Sequence, residues 1–204
     1  MLFDSQVSGP DTFVIHFRDD PSLDFAIFAK GYRLAASTLT QSLLSRPAWP
    51  DYEAYPVVFL YRHSLELYLK NVISKGARLA RLRGQELQQK MLYIHDLTKL
   101  TSTAVGILRI LFPRDSSLLE MLPKLECIVR EFAHVDPDSI TFRYPTDTKG
   151  HRSHFAPLRI NLSDFALTMN SVLEVLDVID FGVDVETDKT EELNRILESF
   201  LNTY

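Results

Sequence analysis

Cysteine is almost missing from this 204-residue chain. Cys127 stands alone, which excludes an internal disulfide and a cysteine-based zinc site and makes a reducing, cytoplasmic setting the expectation. Glycine is scarce as well, at seven residues. None of them forms a Gly-rich phosphate loop, so P-loop nucleotide chemistry is excluded, and no nucleophile elbow occurs either. No run of about 18 apolar residues is present, so no membrane span is expected. The opening MLFDSQVSGPDTF has neither a positive start nor an apolar core and does not read as a secretory signal.

What is there suits a globular domain: 46% hydrophobic residues, 24% charged, thirteen Phe and eight Tyr. The net charge of −5 argues against wholesale binding of a phosphate backbone. The charge is unevenly spread. From Arg62 to Arg114 ten basic residues face three acidic ones, +7; from Ser163 to Tyr204 ten acids face Lys189 and Arg195, −8. Such asymmetry points either to an anionic ligand or to two segments that pack together and neutralise each other.

Residues 12–18, TFVIHFR, alternate as a short strand would. Helices are predicted from about Ser22 to Ser45, from Tyr52 to Leu82 with a bend at Gly76, and from the His95-Asp96-Leu97 turn to Leu111. A fourth, capped by Ser116 or Ser117, runs to about His134. Two more span Ser163 to about Ile179 and from Asp188 onward, the last with Glu191 completing a capping box. Between them ITFRY (140–144) and LRINL (158–162) could pair with TFVIHFR. The expectation is an all-α bundle with a two- or three-stranded β ribbon. It forms one helical domain over 1–183, followed by an acidic amphipathic helix over 184–204 that offers a partner surface.

The second helix, YPVVFLYRHSLELYLKNVI, is apolar nearly all round. At about 100° per residue, Arg62, Glu66, Lys70 and His63 nevertheless fall inside one arc of roughly 100°. That arc faces either water or a groove in which Arg62 and His63 act on a ligand. Arg offers a planar fork to phosphate, and His titrates near neutrality.

HSLELYLKNVI, then HDLTKL, then FRYPTD before a closing helix, together resemble HEPN (higher eukaryotes and prokaryotes nucleotide-binding) domains, over about residues 52–180. Glu66 and Lys70 match the family's Glu and Lys four residues apart; His95-Asp96-Leu97-Thr98-Lys99-Leu100 matches its HDLxxL turn, and Arg143-Tyr144-Pro145 its RYP stretch. The resemblance implies an antiparallel helical bundle, a homodimer with its functional cleft at the interface, and an RNA- or nucleotide-directed role in a toxin or antiphage setting. Many members are metal-independent ribonucleases, in which an Arg and a His assist attack of the RNA 2′-OH on its own phosphate. Their Arg-x(4–6)-His spacing is absent here: Arg130 to His134 is one residue short and Arg143 to His151 one long. Other members are non-catalytic interaction or nucleotide-binding modules.

The candidate catalytic residues are therefore Arg62, His63, Glu66, His95, Arg130, His134 and Arg143. The candidate RNA contacts are Lys70, Arg78, Arg81, Lys149 and Arg152, the last two from the loop KGHRSH. His151 and His154 lack a nearby third ligand, so no metal is expected, and no cofactor. Asp96 reads most simply as a helix cap.

Overall fold

The computed structural model describes residues 10, 24–87, 93–137, 139–146, 149–151 and 157–201. Five helices account for most of them: α1 (Phe25–Leu44), α2 (Ala54–Leu82), α3 (Leu97–Leu111), α4 (Ser116–Val135) and α5 (Leu162–Leu201). A 3₁₀ turn, Asp51–Glu53, leads into α2. Helix α2 is the axis of the molecule, with α1, α3 and α5 packed on it and α4 on α3. Its apolar residues on every side, from Val57 to Ala80, need that many neighbours.

The directions of the helices follow from their contacts. Tyr61 meets Asn170, Tyr68 meets Asp177 and Asn71 meets Asp180, each pair 109 residues apart. A constant offset between two helices of equal rise means that α2 and α5 run parallel. His95 reaches Glu66 and Ile107 reaches Gly76, so α3 runs the same way. Helix α1 opposes them, Lys30 lying beside Asp177 and Arg33 beside Asn170. The bundle thus mixes antiparallel pairs, α1 against α2 and α5 and the α3–α4 hairpin, with the parallel pairs α2–α5 and α2–α3. After α2 ends at Leu82, the chain is back beside Glu66 by His95, from where α3 starts in the same direction.

Four local expectations are corrected. The α4 cap is Asp115, whose carboxylate accepts the Leu118 N–H at 2.9 Å, rather than Ser116 or Ser117. The acidic C-terminal segment does not start a new helix at Asp188, because α5 continues unbroken for 40 residues. Its acids are satisfied along the way. Asp180 and Asp184 take Lys75, Glu186 takes Arg83 at 2.7 Å and Glu191 takes Arg78 at 2.6 Å. The basic middle and the acidic end of the chain therefore neutralise each other across α2 and α5. No strand occurs among the described residues, and TFVIHFR lies outside them. ITFRY is a turn, with the Ile140 and Thr141 N–H groups both held by Asp136 and so unavailable to a ladder. Residues 158–161 of LRINL are irregular and Leu162 begins α5.

Gly76, the fourth, does not interrupt α2; it admits α3. A Cβ there would sit 2.5 Å from Cγ2 of buried Ile107. Because that methyl is attached to a stiff β-branched carbon, it cannot swing away. Gly76→Val should lower stability by about 2–3 kcal/mol in urea unfolding. Combined with Ile107→Ala, the loss should be smaller than the sum of the two single changes.

Candidate functional site

The polar arc of α2 is divided. Arg62, Glu66 and Lys70 are buried at 0%, 1% and 5% exposure, whereas His63 is half-buried beside them. The guanidinium of Arg62 is fully committed. Its Nη1 donates to Glu66 Oε2 at 2.9 Å and its Nη2 to the carbonyls of His95, 3.1 Å, and Asp136, 3.4 Å. Its Nε lies 2.8 Å from Asp136 Oδ2, an ion pair in which neither atom meets hydrogen-bond geometry. Lys70 donates to the second Glu66 oxygen at 2.9 Å, which also meets His95 Nδ1 at 2.8 Å. Burial pushes the Glu66 carboxyl up, but Lys70 and His95 outweigh it and hold the group below its usual range. Two cations and two carboxylates thus close on one another, the arrangement that makes burying charge tolerable.

The cover of this network is built from two turns. The HDL turn supplies His95, and Asp96 caps α3 by accepting the Lys99 N–H at 3.1 Å. The segment after α4 supplies Asp136, whose Oδ1 accepts the N–H of Ile140 at 2.7 Å and of Thr141 at 2.9 Å. Within it Ser139 is left-handed, φ +61°, a conformation that costs a non-glycine residue about 1–2 kcal/mol. That turn presents the Ser139 carbonyl to Arg143 Nε at 2.6 Å and so fixes the arginine.

Outside the network lies an aromatic face. The His63 ring stacks on Phe59, centroids 5.6 Å apart and 10° between planes, and meets Tyr32 edge-on at 4.5 Å. The Arg143 guanidinium stands 5.6 Å from the centroids of both Phe59 and Tyr144. Burial lowers the pKa of His63; Glu66 opposes the shift, while Lys70, Arg62 and Arg143 assist it, so the imidazole is mostly neutral at pH 7. A neutral imidazole, a stacked guanidinium and three further rings offer flat, polarisable surfaces and one exposed cation.

Of the residues expected at a site, the structure therefore joins Arg62, Glu66, Lys70 and His95 in one network and His63 with Arg143 in one face. It joins neither set to Arg130 and His134, which are exposed on α4, with Arg130 Nε on the Glu126 carbonyl of its own helix. Lys70 is enclosed, and Arg78, exposed, is paired with Glu191. Arg81 and Lys149 are exposed; Arg152 lies outside the described residues. Sequence reasoning missed Asp136, Tyr32, Phe59 and Tyr144. Phe59 had a local signal in its place four residues before His63, and Tyr144 in the RYP stretch beside Arg143. Among the described residues no helix is long and apolar enough to cross a membrane, and no group of three His, Cys, Asp or Glu could hold a metal. Compared with known proteins, the chain matches no family model, and no curated protein or solved structure is recognisably similar to it.

Proposed function

We propose that this protein is a HEPN-like, RNA- or nucleotide-directed binding module that works as a homodimer and takes an unpaired base on the face formed by Phe59, His63, Arg143 and Tyr144. The observation that carries the reading is the Arg143 guanidinium held between two ring faces beside a stacked His63. Rings stack on any base, and an arginine plane adds a cation next to the phosphate. Tyr55, four residues before Phe59 and exposed, extends the face by another turn of α2. The overall charge of −5 is compatible with this because stacking, rather than a field of cations, supplies the affinity.

Fluorescence anisotropy with a labelled unstructured RNA, competed by a mononucleotide, tests it. Arg143→Ala and Tyr144→Ala should each weaken binding about tenfold, while Arg81→Ala, away from any ring pair, should not. The dependence of log affinity on log salt should be shallower than about −2, since few phosphates are neutralised. Equal affinity in all four proteins removes the reading.

A second reading, metal-independent cleavage of the bound RNA, is favoured by the neutral imidazole of His63 beside the cation of Arg143. His63 would take the 2′-OH proton as the 2′-oxygen bonds to phosphorus and return it to the departing 5′-oxygen, leaving a 2′,3′-cyclic phosphate, while Arg143 would stabilise charge on the phosphate. In EDTA the wild type should then shorten RNA that His63→Ala leaves intact; intact RNA in both tubes excludes cleavage and leaves binding standing.

A further inference from the structure

Helix α5 outruns the bundle. Asn194 Nδ2 donates to the Leu82 carbonyl at 3.1 Å, at the very end of α2, and no α5 residue after it is buried. Yet Leu193, Ile196, Leu197, Phe200 and Leu201 recur at spacings of three and four, and Leu193, Phe200 and Leu201 are 60%, 62% and 78% exposed. At about 100° per residue they form one side of the helix. An apolar stripe on an overhanging helix gains nothing from the core formed by the described residues.

Further back on α5, on a side that overlaps the stripe's at Gly182 and Glu186, a groove opens. Phe112, Pro113 and Arg114 at the α3–α4 corner face Phe181, Val185 and Glu186 of α5 across an open space of ≈ 530 Å³. Its walls are mainly apolar, Phe181 is 70% exposed, and Arg114 stands exposed at its rim. Glu186 does not make it acidic, because Arg83 and Lys189 pair with that carboxylate at 2.7 and 2.9 Å. The stripe carries the complementary charge in Glu198; Glu192 is already paired with Arg195 at 2.9 Å.

The end of α5 cannot fold back into the groove beside it. Groove and stripe lie on one continuous helix, with Leu193 about 16 Å along the axis from Gly182. A second copy can fill it, and a two-fold axis fills both grooves at once with one kind of contact. We infer that two copies pair by reciprocal exchange, the last two turns of each α5 seated in the partner's groove between α5 and the α3–α4 corner, with Glu198 towards the partner's Arg114. The inference rests on the homodimer reading above and names its interface.

Sedimentation velocity and light scattering on the full chain over a wide concentration range test it. The wild type should be a dimer. Leu197→Glu with Phe200→Glu, and separately Phe181→Glu in the groove, should each raise the dissociation constant at least about thirtyfold, the effect of losing one central anchor, with unchanged helical circular dichroism because all three side chains are exposed. Arg114→Glu should weaken the dimer and Glu198→Arg added to it should restore part of the loss. A wild type that stays monomeric overturns both the exchange and the dimer reading; an unrelated partner helix would then own the stripe. A dimer indifferent to the tail changes, or sensitive to them but not to Phe181→Glu, overturns the exchange and leaves the dimer reading intact.

Discussion

Arg62→Met should cost about 3–5 kcal/mol, because it strips one partner from a buried charge network. The methionine fills much of the space, so the loss is electrostatic rather than a cavity. Glu66 keeps Lys70 and His95, but Asp136 loses its cation, and α2 loses its ties to the carbonyls of His95 and Asp136. Arg62→Lys should recover only part, since a single ammonium cannot serve four oxygens lying in different directions. Urea unfolding measures both, with the slope checked for a change in the unfolded state. A loss under about 1 kcal/mol for Arg62→Met would mean that the network contributes little net stability. The same network sets a pH dependence. Glu66 is held below its ordinary 4.5. The unfolded chain therefore binds a proton more readily than the folded one, and this stability is present above pH 4.5 and lost as pH falls through the folded value. His63, also lowered from its ordinary 6.5, acts in the same direction and starts earlier, so destabilisation should set in below about pH 6.5 and deepen below about 4.5.

Asp136→Ala should cost a similar amount, about 3–5 kcal/mol, and should also weaken RNA binding about tenfold under conditions where the variant is still folded. Two effects meet in this side chain. One oxygen faces buried Arg62, and the other holds the N–H groups of Ile140 and Thr141. Two residues after Thr141 is Arg143, aimed over Phe59. Asp136→Asn keeps an acceptor for the backbone but removes the charge, so it should lose stability yet bind RNA nearly as the wild type does. If Asp136→Ala binds normally, the turn is set by something else, such as the Thr141 hydroxyl on the Val135 carbonyl. Arg62→Met combined with Asp136→Ala should cost less than the sum of the two, since both break the same pair.

The local elements were legible in the sequence because their causes are local. Apolar spacing, the prolines after Ser45 and at 113, and Asp96 before an apolar run mark the ends of α1, α2 and α3 to within two or three residues. The narrow polar arc of α2 was readable too, since angle around a helix is a property of spacing alone. No break precedes Asp188, despite the capping pattern there, because the acids of α5 meet cations on α2 and its neighbouring turn all along that stretch.

The sequence by itself determined that this chain folds as helices around one nearly all-apolar axis, with four polar residues on one side of it. Only the tertiary structure decided what those four do. Whether Arg62 meets water or a carboxylate depends on the turns at His95 and Asp136, which are 33 and 74 residues away along the chain. Spacing carries no information about contacts of that range. Once those turns close over the arc, the low-dielectric interior turns Arg62, Glu66 and Lys70 into structure. His63, one position along and therefore about 100° further round the helix, is left facing the rings.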